Sequence, residues 1–239
     1  MPSNGKKLWA VVPAAGIGSR TGVDTPKQYR EVNGKKIIEH ILERLSMHPR
    51  IAGIVVAISS GDRHWDTITL PDNAAVIAVE GGAERHHSVL NALHRLSQMI
   101  AANDWVLVHD AARPCVRQDD IDKLINSVID HPVGGILGVP VSDTMKRVDE
   151  NNQIVETVSR AGLWHAQTPQ MFRLAALTAA IEHAIQTCAP ITDEAGAVEL
   201  QGLTPLMVEG HRDNIKITEP DDFMRAALYL QQQTSQVDV

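Results

Sequence analysis

The chain has 239 residues, 44% hydrophobic and 21% charged, with 22 basic against 29 acidic side chains and a formal net charge of −7. That length suits one large domain or two small ones, and the composition excludes a disordered chain. The acidic balance and the scarcity of aromatics (four Trp, two Tyr, two Phe) argue against a nucleic-acid partner, while leaving room for a local cluster of cations around a small anion.

Lys6 and Lys7 precede the apolar run 8–12 in the manner of a signal peptide, but Pro13 ends that run after five residues, far short of the roughly 20 needed to span a bilayer. The chain therefore reads as cytoplasmic and complete from its first few residues, with no membrane partner. Continuous apolar runs at 8–12, 54–58, 74–79, 105–108 and 136–139 predict buried strands. Between them, Ile37, Ile38, Ile41, Leu42 and Leu45 recur at helical spacing until Pro49. Val89, Leu93, Leu96 and Ile100 form a second stripe. Ile121, Leu124, Ile125, Val128 and Ile129 form a third, with Asp119 and Asp120 as candidate caps. This alternation predicts an α/β fold, a Rossmann-like, mostly parallel sheet with helices on both faces. Ligands of such sheets sit outside the carboxyl ends of the strands.

Residues 144–148 and 154–158, separated by the polar turn Glu150-Asn151-Asn152-Gln153, predict a β-hairpin inserted at 141–163. A lone hairpin is marginal in water, so it packs on its own domain or embraces a second subunit; the second reading is preferred. Helices near 174–185 and 194–200, a strand at 206–208 and a helix from 220 complete one domain over 1–239. Cys115 and Cys188 form no metal-binding pair and read as reduced thiols.

The loop Pro13-Ala14-Ala15-Gly16-Ile17-Gly18-Ser19-Arg20-Thr21-Gly22 follows the first strand. Its small residues let backbone N–H groups approach phosphate oxygens. A dinucleotide fingerprint would need glycine where Thr21 stands, and no Gly-Lys-Ser/Thr follows for a P-loop. Alone, the loop suits a plain turn as well as a phosphate site. Arg20 and Lys27, the latter in Pro26-Lys27-Gln28-Tyr29, favour a polyphosphate, since a lysine point charge and an arginine fork together hold several oxygens. Asp110 ends the 105–108 strand, with the small Ala111 and Ala112 and the cation Arg113 beside it. It reads as a turn former or as a Mg²⁺ ligand, because one carboxylate together with substrate phosphates can hold that ion. His109 reads as a packing residue, and His86-His87 lacks helical ligand spacing.

With Val108-His109-Asp110-Ala111-Ala112-Arg113-Pro114, Asp143-Thr144-Met145-Lys146, Thr168-Pro169-Gln170, Thr192-Asp193-Glu194-Ala195 and Asn214-Ile215-Lys216-Ile217-Thr218, these loops resemble the 2-C-methyl-D-erythritol 4-phosphate cytidylyltransferases. The resemblance runs from about residue 8 to 230. It implies a homodimer joined through the arm and a Mg²⁺-dependent reaction of CTP with methylerythritol 4-phosphate, releasing pyrophosphate, in the non-mevalonate isoprenoid pathway. It further implies that Ala14, Ala15, Gly16, Gly18 and Ser19 wrap the nucleotide, and that Gly82, Ala83 and Ser88 recognise cytosine. Ala83 stands where some members carry a carboxylate, which leaves backbone contacts there. Asp110 and Arg113 fall in the metal and sugar-phosphate region, with Asp110 as metal ligand. Thr144 and Arg160 are implied for the acceptor phosphate of the neighbouring subunit and Lys216 for placing that phosphate, with Thr168 and Thr192 as further substrate-binding residues and Arg20, Lys27, Arg160 and Lys216 implied for catalysis. A ribitol 5-phosphate cytidylyltransferase and an inactive nucleotide-binding regulator are the alternatives.

Overall fold

A computed structural model describes residues 8–16, 25–72 and 75–235. From the amino terminus, β1 (Leu8–Pro13) leads through the short ribbon β2 (Glu31–Val32) and β3 (Lys35–Lys36) into α1 (Ile37–Ser46). Then come β4 (Ile51–Ile58), β5 (Ala75–Glu80), α2 (Arg85–Ser97), β6 (Trp105–Val108), α3 (Gln118–Val128) and β7 (Gly134–Pro140). The hairpin β8 (Met145–Val148) and β9 (Ile154–Val158) follows, then β10 (Trp164–Arg173), α4 (Leu174–Gln186), α5 (Glu194–Glu199), β11 (Leu206–Glu209) and α6 (Pro220–Ser235).

Seven strands form one sheet in the order β11-β7-β10-β6-β1-β4-β5. All neighbours are parallel except β10, which runs antiparallel to both β6 and β7. Successive side chains on a strand point to opposite faces, and the continuous apolar runs therefore feed two cores. Leu8, Ala10, Val12, Ile54, Val56 and Leu107 face the apolar stripes of α1, α3 and α6. Val11, Val55, Val106 and Val108 face those of α2, α4 and α5. The expected mostly parallel sheet covered on both faces is the observed one.

Three local readings change. Asp119 and Asp120 do not cap α3: Arg117 occupies the cap position and both aspartates lie in the first turn. Asp120 is buried and accepts from His211, whose Nδ1 lies 2.8 Å from Oδ1. The helix carrying Val89, Leu93 and Leu96 spans Arg85–Ser97, so Ile100 of the expected stripe lies beyond its end. Strand β10 has no counterpart among the predicted elements. Its Gln167, Thr168 and Gln170 are polar yet buried, and Pro169 breaks the pattern of a central strand; the register shifts between Ala166 and Gln170, around that proline.

The hairpin forms its own two-stranded sheet, with β8 exposed throughout and Ile154 and Val155 about two-thirds exposed on β9. Among the described residues, no helix is long and apolar enough to cross a membrane.

Candidate active site

Pro13, Gly82 and Asp110 bring the carboxyl ends of β1, β5 and β6 to one cleft. Ala14, Ala15, Gly16, Lys27, Gln28, Gly82, Ala83, Ser88, Asp110 and Lys216 contribute to its lining, and its empty volume, open mouth included, is about 670 Å³.

The first loop continues the ladder one step beyond β1, where Ala14 N–H donates to the Ala57 carbonyl at 2.7 Å. Beyond that step the buried side chain of Gln28 holds it, donating to the carbonyls of Ala14 (2.8 Å) and Gly16 (3.1 Å). Gln28 sits in a 3₁₀ turn with Lys27 and Tyr29. The Tyr29 hydroxyl donates to Asp62 at 2.7 Å; burial and the adjacent carboxylate push this phenol well above its ordinary pKa. Lys27 Nζ donates to the Ile217 carbonyl at 3.2 Å, so the turn joins the glycine loop to the segment carrying Lys216.

The second loop packs directly on the first. A Cβ at Gly81 would lie 2.3 Å from the Ala15 methyl, and one at Gly82 would lie 2.3 Å from His87 Cβ. Glycine is required at both positions by close approach rather than by backbone angle. The buried Ser88 hydroxyl accepts from Gly82 N–H at 3.0 Å and donates to the Glu84 carbonyl at 3.2 Å, which fixes this loop at the start of α2.

Asp110 is the electrostatic centre. Its Oδ1 pairs with Arg85 Nη2 at 2.8 Å, its Oδ2 with Lys216 Nζ at 2.8 Å, and Arg113 Nε lies 3.8 Å from Oδ2. Burial opposes its ionisation, but the charges of Arg85, Lys216 and Arg113 outweigh burial and hold the carboxyl well below the usual range. Arg85 reaches the other way to the buried Glu194 with a two-pronged contact, Nη1 to Oε1 at 2.6 Å and Nη2 to Oε2 at 3.0 Å.

Behind Asp110 runs a short relay. Its N–H donates to Thr168 Oγ1 at 3.0 Å, and Thr168 Oγ1 lies 3.1 Å from His109 Nδ1. His109 Nε2 is 2.9 Å from the Arg113 carbonyl. A carbonyl only accepts, so Nε2 carries the proton and Nδ1 accepts from the Thr168 hydroxyl. Complete burial keeps this imidazole neutral, with its pKa pushed down to about 4. His109 is thus a packing and hydrogen-bonding residue.

The structure gathers Ala14, Ala15, Gly16, Lys27, Gly82, Ala83, Ser88, Asp110 and Lys216 around one cleft. Thr168 and Arg113 lie behind it; Arg113 spends two donors on the carbonyls of Asn214 (2.7 Å) and Ala166 (3.4 Å). Thr192 borders a smaller cavity beside Arg85 and Glu194. Thr144 and Arg160 are exposed on the arm and do not join this chain's cleft lining. Gly18, Ser19 and Arg20 fall outside the described residues.

Arg85, Glu194 and Gln28 were missed as site residues. Arg85 follows a glycine loop much as Lys27 does, and that was a usable signal. Glu194 carried none, because its partner lies 109 residues away.

Comparison with known proteins agrees with this geometry. The family model described as 2-C-methyl-D-erythritol 4-phosphate cytidylyltransferase matches residues 8–232. A protein of that name from Vibrio atlanticus is 53% identical over 223 residues, covering 93% of this chain and 95% of its own. One from Hahella chejuensis is 50% identical over 224 residues, covering 94% and 93%. The crystal structure of the Francisella tularensis 2-C-methyl-D-erythritol 4-phosphate cytidylyltransferase superposes with a TM-score of 0.80 at 38% identity, covering 93% of this chain and 99% of that one. With its glycine loops, cations and buried carboxylate in one cleft, this chain belongs to the 2-C-methyl-D-erythritol 4-phosphate cytidylyltransferase family.

Proposed function

We propose that the chain transfers the cytidylyl group of CTP to 2-C-methyl-D-erythritol 4-phosphate, giving 4-diphosphocytidyl-2-C-methyl-D-erythritol and pyrophosphate. The observation that carries this reading is the convergence of Lys27, Lys216, Asp110 and two glycine loops on one cleft at the strand ends. A phosphate oxygen of the acceptor attacks the α-phosphorus of CTP. The new P–O bond forms as the bond to pyrophosphate breaks, and pyrophosphate leaves with that electron pair. The attacking phosphate is largely ionised near neutral pH, so no general base is needed, and the neutral, fully buried His109 is not called upon as one. Charge accumulates on the α-phosphate oxygens, and catalysis reduces to positioning and charge stabilisation. Lys27, with Arg20 close before it in sequence, serves that stabilisation. Lys216 lies where it can leave Asp110 for a substrate phosphate. Gly82, Ala83 and Ser88 form the wall suited to the base.

Mg²⁺ fits the residues present. Asp110 is held ionised, and each of its oxygens keeps lone-pair capacity beyond its ion pair. Lys216 is 41% exposed and free to turn toward an incoming anion. Asp110 would hold the ion together with the substrate's own phosphates, and the ion would supply additional charge neutralisation there.

A homodimer built through the arm accounts for the exposed Val148, Ile154 and Val155 and for the distance of Thr144 and Arg160 from this chain's cleft: both would reach the acceptor in a partner's site. Water-soluble reactants suit a cytoplasmic enzyme. Pyrophosphate release from CTP, ATP, GTP and UTP, each with methylerythritol 4-phosphate or ribitol 5-phosphate, tests the reading. Release with CTP and methylerythritol 4-phosphate alone is expected. Equal or faster release with ribitol 5-phosphate overturns the choice of acceptor, and no release with any pair overturns the activity.

A further inference from the structure

The segment from Gly210 to Lys216 fastens itself residue by residue to different parts of the domain. Gly210 N–H donates to the Gly138 carbonyl at 2.9 Å. His211 bonds Asp120 on α3 through both its backbone N–H (3.1 Å) and Nδ1 (2.8 Å). Asp213 pairs with Arg117 at 2.6 Å and accepts from Gln233 of α6 at 2.8 Å. The fully buried Asn214 donates to the Thr168 carbonyl at 2.8 Å, and Lys216 ends the run on Asp110. Within this anchored segment Arg212 turns outward to the root of the arm, with Nη2 donating to the Pro140 carbonyl at 2.8 Å and Nη1 to Ser142 Oγ at 3.3 Å.

Ser142 has a second arginine. Arg160, across the root of the arm, donates through Nη1 to the Ser142 carbonyl. One residue is therefore gripped on its side chain by Arg212 and on its backbone by Arg160. We propose that Arg212 is a positioning residue for the acceptor phosphate: it fixes Ser142, and through Ser142 it sets the position of Arg160. The assignment rests on the reading of Arg160 as an acceptor-phosphate cation. Arg212 does not touch the reacting atoms. Its planar fork is pre-organised for two acceptors at once, and its neighbours on both sides are tied down, so little freedom remains to be lost in holding the root. The same segment carries Lys216, so one stretch of chain places two of the site's cations, Lys216 directly and Arg160 through Ser142.

The test is a double-mutant cycle on the steady-state constants of the full chain, run with Arg212→Met, Arg160→Ala and their combination, with Arg212→Lys as the conservative variant. Arg212→Met is expected to raise KM for methylerythritol 4-phosphate about 10-fold, the order expected from losing one or two hydrogen bonds. KM for CTP should stay within about 2-fold, and Arg212→Lys should recover part of the loss. In the Arg160→Ala background the same substitution should change KM for the acceptor by less than about 2-fold, since residues acting as one unit are not additive. Additive effects, or parallel rises in both KM values, would overturn the proposal. Amide hydrogen exchange over 141–145 needs no substrate and separates the two readings. Faster exchange in Arg212→Met than in Arg212→Lys is expected, and unchanged exchange overturns the role of Arg212. A wild-type chain inactive toward the acceptor overturns the reaction reading instead.

Discussion

The guanidinium of Arg85 lies between two buried carboxylates, with Nη2 2.8 Å from Asp110 Oδ1 and Nη1 2.6 Å from Glu194 Oε1. It ties the first turn of α2 to the end of β6 and to α5. Removing Glu194 leaves a largely buried cation with one partner. Glu194→Ala is expected to destabilise the fold by about 3 kcal/mol, at the low end for a broken buried pair because Asp110 remains. Glu194→Gln keeps an acceptor oxygen and should cost less. Urea unfolding measures both, and an alanine variant as stable as wild type would show that the pair contributes nothing.

Gln28 holds two carbonyls of the first glycine loop from a turn that also carries Lys27. Gln28→Leu keeps the bulk and removes both donors, at about 1–3 kcal/mol. Nucleotide binding should weaken by roughly 10-fold or more. Calorimetric titration with CTP reads this directly; unchanged affinity would show that the loop needs no clamp.

Lys27→Ala removes one cation from the cleft. Turnover is expected to fall roughly 10²–10³-fold, as for loss of a single electrostatic donor, and Arg20→Ala should behave likewise. Single-turnover pyrophosphate release is the measurement, and a rate within a few-fold of wild type would remove Lys27 from the chemistry.

Burial drives the His109 imidazole down to about 4, against about 6.5 in an unfolded chain. Between those values the unfolded state binds a proton that the folded state refuses. Stability is therefore full above about pH 6.5 and declines as pH falls toward 4, by about 3 kcal/mol from this group at the lower end. Asp110 acts in a different window: its depressed pKa stabilises the fold above about pH 4, and that contribution is lost only below it. NMR titration of the His109 ring checks the sign. A midpoint near 6.5 in the folded protein would contradict it.

Arg160→Ala and Lys27→Ala place their lesions on the arm and in the cleft. If the site is shared between subunits, each mixed dimer regains one of its two sites: one cleft receives an intact Lys27 and an intact Arg160 together. Activity should rise well above that of either impaired variant when the two are mixed. No recovery after mass spectrometry has shown subunit exchange would place both residues in the same chain's site.

The strands were legible where apolar runs were uninterrupted. The 105–108 run is β6 without change, whereas β4 begins at Ile51 rather than 54 because Gly53 hid its start; a Cβ there would lie 2.5 Å from the Trp9 ring. Lys27 and Asp110 were legible from their places beside a glycine loop and at a strand end, whereas Lys216 was reached only through the family resemblance. The link between Arg85 and Glu194, and the relay through Thr168, join residues tens of positions apart and left no local periodicity to read. Strand β10 was hidden for a related reason: Gln167, Thr168 and Gln170 look like loop residues until their buried partners are known. Gln170, for instance, donates to Asp193 at 2.9 Å and accepts from Ala195 N–H at 2.9 Å.

That strand also determines how damage to this protein will present itself. Within a few residues it sends Met171 into one core and Phe172 into the other, and supplies the threonine that holds Asp110. Lesions along 166–172 will register as loss of folded protein before any loss of chemistry can be weighed, and a screen scored on cellular abundance will class them all as instability. The exposed arm is the opposite case. Substitutions at Thr144 leave the two cores untouched, so a defect there can appear as an abundant, well-folded and silent enzyme.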